Sequence, residues 1–312
     1  MTLTQLRTFL AIADTGSVHA AADQLFVTQS AVSASATALQ RSLGIQLIRR
    51  DGRGLRLSEA GVVYADYIRR VLGLLDEAGT AAAAEADPER GLLRMAALTT
   101  AGEQILPRVL ASFRQRHPQV GIKLEVGNRE RVRTLLDRHE VDLLLGGRPS
   151  PGREVAVLGV RPHELIIVAA EVPFTAPDEH DILEWVEAQT WLLREKGSGT
   201  RETTEQFLAT QDPSHPPRTL TVGSNAAIRE SVVAGLGVTL ISRDAVAREL
   251  DEGRVVEVPL PGTPLPRDWH LTANPGVLPA TALALVTHVL TTGEFQPPRQ
   301  RAEGALQPSS TQ

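Results

Sequence analysis

The tightest constraint on this chain lies in residues 17–43. Ser17 precedes Ala20, Ala21 and Leu25, and Thr28 precedes Val32, Ala36, Leu39 and Leu43, with only Phe26-Val27 between the two runs. Each run has helical spacing and starts on a residue whose side-chain oxygen can cap it, so two short helices are predicted with almost no chain to join them. Upstream, Thr2 with Gln5 predicts a capping box, and Leu6, Phe9, Leu10 and Ala13 an apolar helix face ended by Gly16. Gly44 is the matching stop for the last helix.

That last helix has a bare polar side. Gln29, Ser33 and Thr37 fall at i, i+4 and i+8, with Ser30 beside them and Thr28 as cap. Two readings fit: a solvated helix face, or the second helix of a helix-turn-helix, where Gln reads an adenine edge and Ser a base edge or phosphate. The next residues favour the second. Leu47-Ile48-Arg49-Arg50, Asp51-Gly52-Arg53-Gly54 and Leu55-Arg56-Leu57 predict two strands around a glycine-containing turn. A basic hairpin there is a wing, with Arg53 at its tip for a minor groove and Arg49, Arg50 and Arg56 for phosphates.

Charge agrees with that division. The net charge is −5, yet residues 1–58 sum to +3 and the remainder to −8. A basic head on an acidic body predicts that the head meets a polyanion, here double-stranded DNA, and the body something else. Next, Ser58 is a helix cap, and Ala65, Ile68, Leu72, Leu75, Gly79 and Ala82 have the spacing of a helix–helix seam. Such a helix can lie on its own domain, but its length and its place between two folding units favour a dimer. Two recognition helices would then lie roughly 34 Å apart, or a multiple of that.

The pattern Leu6, Phe9, Gly16-Ser17, Ala20-Ala21, Leu25, Thr28-Gln29-Ser30-Ala31-Val32-Ser33, Leu39, Leu43-Gly44, Leu47, Arg50, Leu57-Ser58, Ala60-Gly61 closely resembles the N-terminal signature of LysR-type transcriptional regulators. Val18 and Ile48 stand where that family commonly has Phe, and Ala34, Ala36 and Thr37 replace residues that are often more polar or basic.

Beyond residue 90, strand-like and helical segments alternate. Strands are expected at 91–98, 120–126, 141–145, 164–170, 190–194, 219–222, 238–242 and 268–273. Helices are expected at 99–116, 129–138, 182–187, 200–211, 226–234 and 279–291, which predicts a mostly parallel sheet. Leu106-Pro107, Phe113 with His117-Pro118, Val141-Asp142-Leu143 and Val233-Ala234-Gly235-Leu236-Gly237-Val238 resemble the effector-binding domain of the same family, itself similar to periplasmic binding proteins.

The fold class is therefore α/β with an N-terminal all-α winged helix-turn-helix domain and a C-terminal two-lobed α/β effector domain. The resemblance implies a DNA-binding domain at 1–58, a linker or dimerisation helix at 59–89 and an effector domain at 90–293. Within the last, lobe I is 91–161 with 268–293 and lobe II is 162–267. The Pro-, Gln- and Ser-rich tail at 294–312 is expected to be disordered.

Ligand chemistry concentrates at predicted helix starts. Thr99 and Thr100 open one helix. In Arg194-Glu195-Lys196-Gly197-Ser198-Gly199-Thr200-Arg201 the glycines let amides converge, Ser198 and Thr200 add hydroxyls, and Arg201 or Lys196 adds charge. Asn225 starts a third helix. Taken singly, Ser198, Thr200 and Asn225 also fit plain caps. In the family these loops commonly line the effector cleft, and this run looks similar to that of regulators of carbon fixation, sulfur or nitrogen assimilation. A small anionic effector is the expectation. Glu202 and Glu205 read as a solvated helix face.

Other chemistries find no foothold. There is no cysteine, no close histidine pair, no G-x-S-x-G elbow and no P-loop, so neither a catalytic site nor a metal or other cofactor is expected. Gly235-Leu236-Gly237 lacks the third glycine of a dinucleotide fingerprint. The apolar runs, such as Ser231 to Ile241, are too short to span a bilayer, and no export signal is visible, so a cytoplasmic location without a membrane partner is expected. Three classes stay open: a ligand-responsive DNA-binding regulator, a small-molecule binding protein whose head serves assembly, and a two-lobed α/β enzyme. The basic wing favours the first. The family resemblance adds pairing of dimers into a tetramer and contact with RNA polymerase.

Overall fold

A computed structural model describes residues 1–52, 54–86, 91–150, 152, 154–173, 179–211 and 216–298. The chain forms two compact units, one built on Met1–Gly79 with Asp137–Glu140 and one on the rest of the chain.

The first unit opens with α1 (Leu3–Thr15), whose capping box pairs Gln5 N with Thr2 Oγ1 at 3.3 Å and Thr2 N with Gln5 Oε1 at 2.9 Å. Gly16 ends it in the left-handed region at φ 66°, and Ser17 caps α2 (Val18–Leu25). After two residues Thr28 caps α3 (Gln29–Leu43), with Ala31 N donating to its hydroxyl at 3.2 Å. Strands β1 (Ile48–Asp51) and β2 (Gly54–Leu57) pair antiparallel as the wing. Gln40 fixes the wing to α3, its Oε1 accepting from Leu47 N at 2.8 Å and Ile48 N at 3.0 Å.

Helix α4 (Glu59–Ala86) follows, with Gly61 N donating to the Ser58 hydroxyl at 3.0 Å. Gly61 sits where any side chain would collide: a Cβ there would lie 2.0 Å from Leu47 O. The expected seam on α4 is only partly a seam. Ala65 and Ile68 are buried with Phe9, Leu39 and Leu47 in the head's own core, and Leu72 packs against it. Burying each large side chain there contributes about 1.5–3 kcal/mol, which ties that face to the head. The apolar positions left exposed are Val63, Tyr67, Val71 and Leu74, with Val62 and Leu75 beside them.

The second unit carries β3 (Leu92–Leu98), α5 (Thr99–Gln104), α6 (Leu106–Arg116), β4 (Gly121–Gly127), α7 (Arg129–Asp137) and β5 (Leu143–Gly146). Long β6 (Ala156–Ala169) leads to α8 (Glu179–Ala188), β7 (Thr190–Leu193), α9 (Gly199–Thr210), β8 (Arg218–Thr221), α10 (Asn225–Val233) and β9 (Thr239–Ser242). Then come α11 (Arg243–Asp251), β10 (Val256–Glu257), β11 (Leu265–Ala273) and α12 (Ala280–Thr291). The single helix expected at 99–116 is broken at Ile105, because Pro107 in the first turn of α6 has no N–H to continue an α5 ladder. Helix α11, with Ala245, Val246 and Glu249 buried, had no counterpart in the sequence reading.

The sheet is mixed, not mostly parallel. Its order is β10-β6-β11-β5-β3-β4, with β9 also on β6. Within it β3–β4 and β3–β5 are parallel, while β11–β5, β11–β6, β6–β9 and β6–β10 are antiparallel; β7 and β8 pair parallel as a separate small sheet. The cause is connectivity. Strand β6 leaves the first lobe, β11 returns beside it in the opposite direction, and the two pair from Ala156–Ala273 to Leu165–Leu265.

Lobe I has a main core around Leu93, Met95, Phe113, Leu143, Leu145 and Leu285 and a smaller one around Ala96, Val132, Leu136 and Val141. In lobe II both faces of β6 are buried with the period of two that a central strand requires. Leu165, Ile167 and Ala169 enter the core with Trp191 and Phe207, and Ile166 and Val168 enter one with Ile228 and Val246. Residues 294–298 of the tail expected to be disordered are folded, and 299–312 lie outside the described residues. Phe295 is buried in the lobe I core, and Gln296 exchanges two backbone hydrogen bonds of 2.8 Å with Val160.

Candidate functional site

Helix α3 turns Val32, Ala36 and Leu39 inward, which leaves Thr28, Gln29, Ser30, Ser33 and Thr37 exposed on its opposite side. The Thr28 and Ser30 hydroxyls are 3.0 Å apart. Gln29 has a partner that the sequence reading missed: its Nε2 lies 3.0 Å from His19 Nδ1, on α2. His19 Nε2 in turn faces Asp23 Oδ2 at 3.6 Å. A ring whose Nδ1 accepts from Gln29 leaves the Gln29 Oε1 and one amide proton outward, the acceptor–donor pair that an adenine edge complements. Phe26, in the turn before α3, is 95% exposed and held at φ 56°.

The wing presents Arg49, Arg50 and Arg56 to solvent, and Arg49 lies directly opposite Arg56 across the antiparallel pair. Like charges placed so are destabilising, and a polyanion relieves the cost. Asp51 offsets it little, since its Oδ2 is 4.0 Å from Arg56 Nη1. Arg53 lies outside the described residues.

In the second unit a cleft of about 430 Å³ opens between the lobes. Thr99, Thr100, Ser198 and Thr200 line it. Asn225 and Arg201 do not. Asn225 is buried behind the wall, where its Nδ2 donates to Thr100 Oγ1 at 2.7 Å and its Oδ1 accepts from Arg194. Arg201 turns away, bonding Glu205 Oε1 at 2.8 Å and the carbonyl of Arg194 at 2.9 Å. Both are wall supports: one holds Thr100 and Arg194, the other the strand end that carries Arg194. Ser198 caps α9, accepting from Arg201 N at 3.5 Å.

The cleft's positive charge comes from elsewhere: Arg129, Arg148, Arg194 and Arg267 line it. Arg194 is nearly buried, with Glu195 accepting from its Nε at 2.8 Å and its Nη2 at 3.0 Å. Arg129 Nη1 donates to Glu202 Oε2 at 3.1 Å, so Glu202, exposed as expected, also lines the cleft. On the wall made by β6 and β11, His163 stacks on Trp269 at 4.2 Å and 14°, with Ser242 Oγ 3.5 Å from its Nδ1. Burial lowers the His163 pKa to about 4, against the opposing pull of Asp244 and Asp268, so the ring is neutral near pH 7. The cleft thus combines its arginines with a neutral stacked ring pair, which Arg267 and Asp268 of β11 flank. Such a lining holds an anionic group together with a polar or apolar body.

Among the described residues no group of His, Asp and Glu side chains converges as a metal ion requires. Among them, too, no helix is long and apolar enough to cross a membrane.

Comparison with known proteins places both units. Residues 3–62 match the bacterial regulatory helix-turn-helix protein, lysR family, and residues 86–294 match the LysR substrate binding domain. The chain is 31% identical to the HTH-type transcriptional activator CmpR of Synechocystis over 270 residues, 86% of this chain and 88% of that one. It is 32% identical to the RuBisCO operon transcriptional regulator of Allochromatium vinosum over 276 residues, 88% of this chain and 91% of that one. Among solved structures, full-length CbnR complexed with its target DNA superposes with a TM-score of 0.66 at 22% identity, covering 94% of this chain and 100% of that one. The Synechocystis CcmR regulatory domain in complex with 2-PG gives 0.58 at 24% identity, covering 64% of this chain and 96% of that one. With its N-terminal helix-turn-helix and its C-terminal two-lobed substrate-binding domain both matched, the chain belongs to the LysR family of transcriptional regulators.

Proposed function

We propose that this regulator binds promoter DNA sequence-specifically and that a small anion, of the phosphorylated-carboxylate class, modulates the binding from the inter-lobe cleft. Helix α3 reads the major groove through Gln29 and Ser33, with Thr28, Ser30 and Thr37 on the same face. Arg49, Arg50 and Arg56 hold phosphates. The observation that carries the ligand reading is the convergence of Arg129, Arg148 and Arg194 on one cleft with Ser198, Thr200 and the first turn of α9. A relative named as a RuBisCO operon transcriptional regulator, and a regulatory domain of the same fold in complex with 2-PG, support that ligand class.

Two copies pair through α4, on the face of Val63, Tyr67, Val71 and Leu74 that the head leaves uncovered. Dimers pair further into a tetramer, and the assembly contacts RNA polymerase. The energy for switching comes from unequal ligand affinity in two arrangements of the lobes, and the coupling is reciprocal. Calorimetric titration of phosphoglycolate into the full chain tests the ligand class. Heat of binding that Arg148→Ala abolishes supports it. Binding of neutral or cationic metabolites alone contradicts it.

A further inference from the structure

Two arginine–carboxylate pairs of this domain differ in what could replace them. Arg94 and Asp142 are sealed in lobe I, with side-chain exposures of 9% and 0%. Arg129 and Glu202 are not sealed: their side chains are 39% and 52% exposed, and both face the cleft. Arg129 is the first residue of α7 in lobe I and Glu202 lies in the first turn of α9 in lobe II, so their 3.1 Å contact ties one lobe to the other.

The guanidinium is also closely set. It rests on Gly199, where an added Cβ would come 3.3–3.4 Å from its Nε, Cζ and Nη2. Gly199 is the first residue of α9, whose positive end disfavours a cation, so the carboxylate of Glu202 offsets two neighbouring positive charges. An incoming anion would find Arg129 already engaged by the chain's own carboxylate.

We propose that Glu202 is an internal competitor for the anionic ligand: its carboxylate occupies the Arg129 contact that the ligand takes, and so sets the concentration at which the cleft responds. This rests on the anionic-ligand reading above. An exposed pair of this kind contributes little, which is what makes it displaceable by a ligand at ordinary concentration. A sealed pair would not yield. The exchange also conserves the tie between lobes, because an anion held by Arg129 and the α9 turn bridges the same two elements that Glu202 bridges without it.

The test is calorimetric titration of phosphoglycolate, and separately of inorganic phosphate, into the full chain and four variants. Glu202→Gln is expected to tighten both anions roughly two- to fivefold, the factor that corresponds to an exposed ion pair. Glu205→Gln removes the same charge one turn along α9, from the partner of Arg201, and is expected to change affinity by less than half that factor. In an Arg129→Gln background, adding Glu202→Gln is expected to give no gain. Unchanged or weaker binding by Glu202→Gln overturns the proposal. So does equal tightening by Glu205→Gln, which would make the effect one of net charge. If the wild-type chain binds neither anion at millimolar concentration, the anionic-ligand reading itself fails.

Discussion

Arg49→Gln should strengthen the head and weaken its grip on DNA. Arg49 stands opposite Arg56 in the wing, and the Asp51 carboxylate is 4.0 Å from Arg56. Removing one of two like charges directly opposed across a hairpin relieves about 0.2–1 kcal/mol. For a unit of this size that corresponds to a rise of roughly 1–6 °C in the unfolding of the head.

The DNA effect has the other sign. One lost phosphate contact lowers the slope of log K against log salt by about 0.9, so affinity falls roughly 15-fold at 50 mM salt but only about fourfold at 200 mM. Fluorescence anisotropy on a promoter duplex and a scrambled duplex, with salt varied over that range, measures the slope. Thermal denaturation of the same preparations measures the stability. An unchanged slope, a loss confined to one sequence, or a lowered unfolding temperature would refute the reasoning.

Further outcomes follow from the same geometry. Gln29→Ala should cost about 1–3 kcal/mol of discrimination between matched and base-substituted duplexes, and His19→Ala should flatten preference at the same base position, both read by selection from a randomised duplex library. The His163 pKa is lowered to about 4 in the fold, so the unfolded chain binds the extra proton between pH 6.5 and 4. Stability from this group is full above pH 6.5 and is lost on acidification through that window, by up to about 3 kcal/mol, and His163→Gln should remove that part of the pH profile in urea unfolding. Tyr67→Glu on the uncovered face of α4 should lower the sedimenting mass to that of a monomer, whereas Tyr67→Phe should not.

What the sequence made legible was local. The Thr2–Gln5 box, the Ser17 and Thr28 caps and the stops at Gly16 and Gly44 act within four residues of themselves, and the structure realises each of them. Thr99, Thr100, Ser198 and Thr200 were readable for the same reason, since residues at helix starts after strands face the crevice of an α/β sheet. The errors are tertiary. Arg201 and Asn225 also stand at helix starts, but whether such a side chain enters the cleft depends on Glu205, Arg194 and Thr100, which no local pattern announces.

The cleft arginines and Glu202 were missed because their partners are remote: Arg129 and Glu202 are 73 residues apart. His163 and Trp269 lie on strands whose pairing exists only because the chain crosses between lobes and returns. The α4 seam shows a different limit. Periodicity places two apolar stripes on that helix, and only the position of Phe9 and Leu47 decides that Ala65 and Ile68 face inward while Val63 and Tyr67 do not. The mixed sheet has a similar origin, since strand order and direction follow from the two crossings and not from any one strand's residues.

The most direct measurement is the affinity of the full chain for the DNA upstream of its own gene and for a scrambled duplex of equal composition. It is made near 150 mM salt, with and without millimolar phosphoglycolate. The account predicts tighter binding to the natural duplex and a shift in that affinity when the anion is added. Equal, salt-labile binding to both duplexes that the anion leaves unchanged would contradict it.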